Sequence, residues 1–398
     1  MNFALNDDQL AFRDAVRRFA VEHVRPSVES RDAEERWDAD IWSKMAAMGL
    51  LGLPFPVEYG GQGAGCLDTV LATEAFAEGS ADGGLTLSWG AHSIIGSMPI
   101  VLCGTEEQKR RYLPALASGS MIAGLALTEP GSGSDAAGSM LSRAEKKGDR
   151  YILNGSKTFI TNGPIGDLFT VMAVTQKSRG PMGISVFLVQ RDFPGFRVGK
   201  RLKKMGMRTS TTSELFFDDV EIPEENLLSQ VNSGFLRVGR ATLEWERTVL
   251  VAGALGSLQY MIDEAVRHAK QREQFGEPII RFQAIQEKIA RARIALDTAR
   301  LLVYRSALLK DQGRAAPLES SVAKVYATEA VIRSAYELGQ VFGGYCFLAE
   351  YPIERMYRDA RLSTIGGGTS EVMRSIIAAH LTETNAFQRD RRRYANVN

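Results

Sequence analysis

Glu246 is the acidic residue whose sequence surroundings best suit proton-transfer chemistry. It lies in the segment GRATLEWERTVLVAGALG (239–256), which is typical of a helix, and the stretch 248–257 contains no charged residue. The residues three and four positions away along this helix, none of them cationic, are Thr242, Leu243, Val249 and Leu250. A carboxylate on an apolar helix edge is desolvated, which raises its pKa as a general base near neutral pH requires. The alternative is that Glu246 forms a salt bridge to another helix.

The charged neighbours of Glu246 are expected to leave it without a partner on its own helix. Arg247 is adjacent in sequence but is predicted to project from another face. Glu244, by contrast, can pair with Arg240 or Arg247. The sequence therefore predicts one paired and one unpaired carboxylate within three residues.

Three consecutive glycines (366–368) form a second unusual stretch, within RLSTIGGGTSEVMR (361–374). Adjacent glycines cost backbone entropy, so the chain must need either a sharp turn or the close approach of a bound group. Thr369 or Ser370 can cap the helix that follows, and Glu371 suits its first turn. A glycine-rich lead into a helix N-terminus also favours an anion or a polarised ring atom.

A Gly/Ser-rich loop, LALTEPGSGSDAAGS (125–139), has the composition of a backbone cradle. Its small residues let main-chain N–H groups approach a phosphate or a flat ring, and Thr128, Ser132 and Ser134 add hydroxyl donors. No Lys follows, so this is not the phosphate-binding loop of nucleotide hydrolases. The alternative is a flexible domain junction.

Two other stretches have ordinary interpretations on residue type alone. In SKTFITNGP (156–164), Thr158 and Thr161 suit a β-strand and Phe159 suits a core. In HAKQREQFGEPI (268–279), a cation such as Arg272 favours the helix C-terminus. Neither stretch predicts a site by itself.

The bulk properties limit the classes of function. A chain of 398 residues is expected to form two or three domains, and 44% apolar and 24% charged residues are typical of a soluble globular protein. The formal net charge of +1 gives no broad attraction to nucleic acid or anionic lipid. No uncharged apolar run reaches the roughly 18 residues of a membrane span, and the start MNFALNDDQLAF lacks the apolar segment of a signal peptide.

Cysteine and histidine usage predicts neither disulfides nor a metal site. Cys66, Cys103 and Cys346 are far apart and odd in number, which fits a reducing cytoplasm. The four histidines are also scattered along the chain. We therefore expect a cytoplasmic protein whose chemistry does not depend on a bound metal.

The residue pattern divides the chain into three regions. Residues 1–125 are predicted to be helical, 126–234 to form a small, mostly antiparallel β domain, and 235–398 to be helical again. The long helices predicted in the last region are 235–272, 282–312, 316–345 and 370–384. Alternating β-α-β units are absent, which disfavours a Rossmann nucleotide fold. The predicted fold class is α+β multidomain.

Five motifs in register resemble the acyl-CoA dehydrogenase family along almost the whole chain. They are LTEPGSGSD, ILNGSKTFITNG, QREQFG, QVFGGYCF and YRDARLSTIGGGTSE, in that order. The resemblance implies an N-terminal helical domain, a middle β domain and a C-terminal four-helix bundle, which agrees with the pattern above. It also implies FAD, an acyl-CoA thioester substrate and a homotetramer in which neighbouring subunits complete each FAD site.

The resemblance also implies which residues hold FAD and substrate. Contacts to the FAD of the same chain are implied for Leu125, Thr128, Ser134, Phe159, Thr161, Thr369 and Glu371. Contacts to the FAD of a partner subunit are implied for Arg272, Phe275, Gln283, Gln340 and Gly344. The substrate-binding group comprises Ser134 near the CoA phosphates, together with Leu243, Arg247, Leu250 and Gly367.

The family reaction removes an α proton and a β hydride from the acyl chain. Many members place the catalytic carboxylate directly before Gly-Thr, where this chain has Gly367. The isovaleryl-CoA and long-chain branches place it at the position of Glu246 instead, so the resemblance implies that Glu246 is the base. Arg247 matches an arginine near the base that is widespread in the family.

Substrate and electron acceptor are only partly predicted. Gly367 leaves room for a branch beside the reacting carbons, and Trp89, in LTLSWGAHS (85–93), is expected to shorten the pocket. These features favour a short or medium acyl group, possibly branched, with electrons passing to an electron-transfer flavoprotein. The alternatives are a flavin oxidase or monooxygenase on the same fold, an acyl dehydrogenase linked to acyl carrier protein, and a tetramer without catalysis.

Overall fold

The computed structural model describes residues 4–382 and begins with a helical region. Its α-helices are α1 (Asp7–His23), α2 (Val28–Ala33), α3 (Ala39–Ala47), α4 (Cys66–Ser80), α5 (Gly83–Gly90), α6 (Met98–Cys103) and α7 (Glu106–Ala117). The Thr105 side chain accepts a hydrogen bond from the Gln108 N–H and so caps α7. A π-helical turn over Ala91–Ser97 joins α5 to α6.

An eight-stranded sheet follows, and most of its strand pairs are antiparallel, as expected. Its strands are β1 (Ala123–Ala126), β2 (Arg143–Lys147), β3 (Arg150–Thr161), β4 (Leu168–Val174), β5 (Ile184–Gln190), β6 (Phe196–Arg201), β7 (Thr212–Pro223) and β8 (Leu227–Leu228). The strand order is β6-β7-β3-β2-β4-β5-β8, and β1 pairs with β4 in parallel. The register between β3 and β7 shifts twice, so β3 is bent rather than straight.

The last region is helical. After a π-helical turn at Gly234–Gly239 come α8 (Arg240–Gln271), a hairpin of β9 (Glu273–Gln274) and β10 (Glu277–Pro278), then α9 (Gln283–Asp311), α10 (Pro317–Phe342), α11 (Pro352–Ser363) and α12 (Ser370–Leu381). The order helical, β, helical confirms the predicted fold class. The sequence pattern did not predict α11, a short helix whose charged residues pair with distant parts of the chain.

Long-range polar contacts fix the helical regions against each other. Asp311, at the end of α9, accepts hydrogen bonds from the N–H groups of Cys66 and Leu67 at 2.5 and 3.0 Å, and so caps α4. Glu74 on α4 accepts hydrogen bonds from Arg300 Nε at 2.6 Å and from the Tyr304 hydroxyl at 2.7 Å. These contacts hold α4 against α9, while its apolar face packs against α8.

Two helical stretches have the length and apolar composition of a membrane span. They are Gly83–Cys103 and Gly234–Gln271. Within the protein, 72% and 50% of their most apolar windows are buried, as is common for core helices of globular proteins.

A buried ion pair in the β region anchors the Gly/Ser-rich loop. Lys157 Nζ donates to Glu129 Oε1 at 2.8 Å and to the Leu127 carbonyl at 3.0 Å. Glu129 also accepts from the N–H groups of Leu141 and Ser142. A buried charge pair is tolerated only when both partners are well hydrogen-bonded, and this pair ties the two ends of the loop to β3.

His92 is fully buried in the π-helical turn and is held as a neutral ring. Its Nε2 lies 3.0 Å from the Leu116 carbonyl, and its Nδ1 accepts from the Ala123 N–H at 3.0 Å. Burial lowers the pKa of His92 from 6.5 to about 4, because the charged ring would be desolvated.

The buried His92 should make stability fall as the pH falls. The unfolded chain binds a proton at this residue below about pH 6.5, whereas the folded chain does not until about pH 4. The free energy of unfolding contributed by His92 should therefore drop by about 2 kcal/mol between pH 7.5 and 5. Denaturant unfolding of the wild type, His92→Gln and His380→Gln at both pH values measures it. His380 is exposed and serves as the control. An equal pH dependence in wild type and His92→Gln would contradict this assignment.

Candidate active site

A cleft runs along α8 and is lined by side chains from α5, α10 and α11. Its empty space, including the open mouth, is about 900 Å³, and its lining is mainly apolar, with Leu250 and Val331 among the contributors. The few charged side chains that line it are Glu246, Arg247, Lys324 and Asp359. A mostly apolar cleft with a few convergent polar groups is typical of a site for a small organic molecule.

Glu246 lies near the start of α8, and its carboxylate faces the cleft. Burial raises the pKa of Glu246, while the positive charges of Arg247 and Lys324 act in the opposite direction. A carboxylate with a raised pKa that lines a cleft is a candidate for proton transfer. The geometry thus agrees with the desolvated environment that the sequence predicted.

Gly367 leaves the space into which the Glu246 carboxylate points. Its φ is +67°, a left-handed conformation that favours glycine, and a Cβ atom added there would lie 3.0 Å from Glu246 Oε1. A larger side chain at position 367 would therefore compete with the carboxylate for the same space. The structure brings Glu246 and Gly367 together although they are 121 positions apart in the sequence.

Two cations donate hydrogen bonds to the turn formed by residues 366–368, called the glycine turn below. Arg247 Nε donates to the Gly367 carbonyl at 3.0 Å, and Lys324 Nζ donates to the Gly368 carbonyl at 2.6 Å. The prediction that Arg247 projects away from Glu246 is wrong, because both residues line the cleft. Successive helix residues are about 100° apart, and the cleft covers enough of the helix surface to include both.

Glu244 has hydrogen-bond partners that the sequence did not predict. Glu244 accepts hydrogen bonds from Lys310 Nζ at 3.3 Å and from the Ala316 N–H at 3.2 Å, both outside α8. The Glu244 carboxylate is therefore paired with groups at the end of α9 and just before α10, and it does not line the cleft. The distinction between a paired Glu244 and a cleft-facing Glu246 holds, although the pairing partner comes from a helix that local sequence cannot reveal.

The other predicted substrate residues fall into two groups. Leu250 lines the cleft with Arg247 and Gly367, whereas Leu243 and Ser134 do not. Ser134 lies exposed on the Gly/Ser-rich loop. Trp89, expected to shorten the pocket, is buried beside Phe76 and does not line this cleft either.

The side chain of Trp89 is used for packing within the N-terminal region. Its Nε1 donates to the Leu50 carbonyl at 2.9 Å, and the residue lines a smaller cavity that shares Thr86 and Leu250 with the main cleft. The cleft instead continues along α8 past Gly253 to Ser257. Eleven residues separate Glu246 from Ser257, which corresponds to about 16 Å along the helix. This stretch of the cleft is open to a chain-like ligand.

Phe159 combines a left-handed backbone conformation with an exposed aromatic ring. It has a φ of +58° and lies at the second register shift of β3, and 68% of its side-chain surface is exposed. A left-handed conformation in an exposed aromatic residue is unfavourable and is common at binding sites. The adjacent Thr158 N–H donates to the Thr128 carbonyl at 2.9 Å, so the strand and the Gly/Ser-rich loop are joined here.

The same region offers space and small residues. Cβ atoms added at Gly131 and Gly133 would meet no atom within 4 Å. Thr128 and Thr161 are only partly buried, and Leu125 lies on β1 next to this loop. Exposed backbone with hydroxyl side chains beside an exposed aromatic ring suits a flat polar ring system with a phosphate tail, so these residues fit FAD.

A second group of predicted FAD residues surrounds the far end of α8. Phe275 and Gly276 form the turn of the β9–β10 hairpin with φ values of +55° and +86°, and Phe275 is 95% exposed. The guanidinium of Arg272 lies 5.7 Å from the centre of the Tyr345 ring. The remaining members of this group, all exposed, are Gln283, Gln340 and Gly344.

The second group of predicted FAD residues lies far along α8 from Glu246. Arg272 is 26 residues from Glu246 along α8 and its end, which corresponds to about 39 Å. A strained, exposed Phe275 and an exposed cation are arranged to contact a molecule outside the described chain. This arrangement fits contacts to an FAD held mainly by another subunit.

The residues after the glycine turn lie at the N-terminus of α12. The Thr369 side chain caps this helix by accepting from the Val372 N–H at 3.2 Å, and Glu371 is exposed in its first turn. The backbone N–H of Glu371 itself and the Thr369 hydroxyl lower the pKa of the Glu371 carboxyl. The buried Ser370 hydroxyl has no partner among the described residues.

Lys324 and Asp359 are cleft residues that the sequence did not predict. Lys324 stands among apolar and small residues in SSVAKVYA, a pattern comparable to that of Glu246, so a search for isolated charges in apolar helices could have found it. Asp359 accepts from the Met207 N–H, a contact across 152 positions that no local pattern indicates.

Family profiles match the chain along nearly its whole length. Those of the acyl-CoA dehydrogenase N-terminal, middle and C-terminal domains match residues 6–120, 124–220 and 232–382. An acyl-CoA dehydrogenase of Bacillus subtilis (strain 168) is 41% identical and covers 95% of this chain and 98% of its own length. The mitochondrial isovaleryl-CoA dehydrogenase of Pongo abelii is 39% identical and covers 94% of this chain and 88% of its own.

Solved structures show the same fold. Butyryl-CoA dehydrogenase from Megasphaera elsdenii has a TM-score of 0.92 and 37% identity, covering 96% of this chain and all of its own. The prolyl acyl carrier protein oxidase AnaB has a TM-score of 0.93 and 37% identity, covering 95% of this chain and all of its own. A chain from the study of the electron transferring flavoprotein of Acidaminococcus fermentans has a TM-score of 0.93 and 40% identity, with 96% and 99% coverage.

An FAD complex of PigA has a TM-score of 0.93, with 32% identity over 97% of this chain and all of that one. Family profiles, whole-length relatives and structures thus agree in all three regions. The chain belongs to the acyl-CoA dehydrogenase family of flavoprotein oxidoreductases.

Proposed function

We propose that this protein catalyses the FAD-dependent α,β-dehydrogenation of an acyl-CoA thioester, with Glu246 as the base that removes the α proton. The observation that carries the proposal is the position of the Glu246 carboxylate, 3.0 Å from where a side chain at Gly367 would begin. Many relatives carry their base at the position of Gly367. A carboxylate at position 246 on α8 and one at position 367 in the glycine turn would therefore reach the same point of the cleft.

The surroundings of Glu246 suit proton abstraction. Burial raises its pKa, so the carboxylate is a stronger base than one in water, while Arg247 and Lys324 limit the rise and favour the ionised form. The α C–H bond breaks, its proton goes to a Glu246 oxygen, and its electron pair forms the new double bond as hydride leaves the β carbon. When bound, FAD supplies the acceptor for that hydride.

Substrate and cofactor would be held by the residues described above. We propose that Arg247, Leu250 and Gly367 contact the acyl thioester and that Thr128, Phe159 and Thr161 contact FAD. The open space at Gly367 supports tolerance of a branch next to the thioester. Because the cleft extends along α8 beyond Leu250, medium chains suit it at least as well as short ones.

The assembly we propose is a homotetramer in which each FAD site uses residues of two subunits. The exposed Arg272, about 39 Å along α8 from Glu246, and the exposed Phe275 beside it support this. The domain boundaries after residues 125 and 234 and a cytoplasmic location stay predictions from the sequence.

The electron acceptor that we propose is an electron-transfer flavoprotein. The similarity to a chain from the Acidaminococcus fermentans study supports it.

A second candidate function is the oxidation of an acyl group on a carrier protein with oxygen as acceptor, because AnaB is as similar to this chain in fold and sequence identity as butyryl-CoA dehydrogenase is. Anaerobic bleaching by an acyl-CoA, followed by slow recovery in air, would favour the dehydrogenase. Rapid recovery in air would favour the oxidase.

Glu246→Gln should abolish reduction of the bound FAD by acyl-CoA, because the amide keeps the shape but cannot accept the α proton. Loss of a general base lowers the rate by about 10² to 10⁴, and by more where no other group substitutes. The measurement is anaerobic stopped-flow reduction with butyryl-CoA and isovaleryl-CoA. Glu244→Gln is the matched control on the same helix, and it should keep most of the rate. A larger loss in Glu244→Gln than in Glu246→Gln would refute the assignment.

Arg272→Ala should weaken the retention of FAD and leave the fold intact, because it removes an exposed cation that we assign to the FAD of a partner subunit. The released FAD is measured by gel filtration, and the oligomer by sedimentation at micromolar concentration. Arg281→Ala removes another exposed cation near the hairpin and is the control. Full FAD occupancy in Arg272→Ala, or a flavin-bearing wild-type monomer, would argue against the shared site.

Moving the base from the helix to the loop should narrow the substrate range. In the double variant Glu246→Gly with Gly367→Glu, the new side chain fills the space beside the reacting carbons, at a cost of about 1–2 kcal/mol for its left-handed backbone. Activity on butyryl-CoA should survive in part, whereas turnover of isovaleryl-CoA should fall about tenfold further.

The kcat/KM values for both thioesters measure this change in range. The control is Gly366→Ala, because an added Cβ there would come no closer than 3.9 Å to the Leu362 carbonyl oxygen, an ordinary contact. If both thioesters lost activity equally in the double variant, Gly367 would not set the tolerance for branches.

A further inference from the structure

Lys324 is a buried cation that the proton-abstraction step does not use directly. It lies on α10 with only 2% of its surface exposed, among the apolar residues of that helix. The residue lines the cleft with Glu246, and its Nζ donates to the Gly368 carbonyl at 2.6 Å. Removing an ammonium group from water to this extent is unfavourable unless nearby charges and hydrogen-bond acceptors compensate.

The compensation comes from the active site. Burial lowers the pKa of Lys324 to about 8, and the charge that most opposes this shift is that of Glu246. At neutral pH Lys324 is therefore mainly protonated. Glu246 is in turn the group whose raised pKa Lys324 acts to lower. The two side chains stabilise each other's charged forms across the cleft.

Few other charges act on this pair. Arg247, next to Glu246, lowers the pKa of both Glu246 and Lys324, while Glu329 and Glu371 raise that of Lys324. Asp359 lines the same cleft on α11, and burial raises its pKa to about 7. The glycine turn contributes no charge of its own. Replacing Lys324 by an uncharged residue would leave Arg247 as the single cation identified beside Glu246 in the described chain.

Lys324 also supports the turn that faces the base. Gly367 and Gly368 have φ values of +67° and +100°, and their carbonyls are held by Arg247 from α8 and by Lys324 from α10. Side chains of two helices, α8 and α10, thereby donate hydrogen bonds to two consecutive peptide units. Without one of these bonds, a turn made of three glycines has little to keep it in a single conformation.

We infer that Lys324 is a positioning residue for the catalytic base: it holds the glycine turn open beside Glu246, and its positive charge keeps the carboxylate ionised. This inference rests on the proposed function of Glu246. It assigns Lys324 no contact with the reacting carbons. Its effect passes through the conformation of residues 366–368 and the protonation state of Glu246.

The inference predicts a change in pH dependence that a purely structural lysine would not produce. Because a positive charge lowers the pKa of a nearby carboxyl, Lys324→Met should raise the pKa of Glu246 and move the acidic limb of the rate profile to higher pH by about one unit. At a pH on that limb the rate of FAD reduction should fall about tenfold. Lys324→Arg keeps the charge and should shift the limb much less.

The experiment uses the FAD-loaded enzyme and follows anaerobic FAD reduction by butyryl-CoA from pH 5.5 to 9. Lys310→Met is the matched control, because Lys310 on α9 is a partly buried cation that bonds to Glu244 on α8 rather than to the turn beside Glu246. Thermal unfolding of each variant checks folding, and Lys324→Gln replaces Lys324→Met if the latter does not fold. We expect a shifted acidic limb in Lys324→Met and an unshifted one in Lys310→Met.

Two results would overturn the inference. One is an acidic limb in Lys324→Met that coincides with that of the wild type, whatever the change in maximal rate. The other is an equal shift in Lys310→Met, which would reflect only the net charge of the helices. Failure of the proposed function would instead appear as FAD reduction that survives Glu246→Gln, so the two failures can be told apart.

Discussion

The contact between the Glu246 carboxylate and the left-handed turn at Gly367 is the constraint on which the rest of this structure depends. A carboxylate can act as a base beside an apolar cleft only if it is desolvated and yet still ionised. Burial against apolar residues supplies the first condition, and the positive charges of Arg247 and Lys324 supply the second. Gly367 has no side chain, so the carboxylate can reach the cleft.

This arrangement explains why the helices around the cleft are fixed by contacts far apart in sequence. The base lies on α8, one supporting cation lies on α10, and the turn joins α11 to α12. A shift of any of these elements by about 1 Å would separate the carboxylate from the turn, and errors of that size slow reactions markedly. Hydrogen bonds from Arg247 and Lys324 to the turn, and from Met207 to Asp359 on α11, resist such shifts.

Local sequence was sufficient for features that depend on local physics. The order of helical, β and helical regions and the apolar helix edge that carries Glu246 follow from residue spacing. Features that depend on distant partners could not be predicted. Lys310 pairs with Glu244 across 66 positions, and Trp89 donates to the Leu50 carbonyl across 39 positions. The roles assigned to the FAD residues came from the family resemblance and remain proposals.

The most direct test of Glu246 as the base isolates proton removal from hydride transfer. Phenylacetyl-CoA has α protons but no hydrogen on its β carbon, so an enzyme that removes its α proton can only exchange it with solvent. Incubation of the FAD-loaded enzyme with phenylacetyl-CoA in D₂O, followed by mass spectrometry, measures that exchange. The wild type and Glu244→Gln should incorporate deuterium at the α carbon, and Glu246→Gln should not do so above the uncatalysed rate. Equal incorporation by the wild type and Glu246→Gln would show that another group removes the proton.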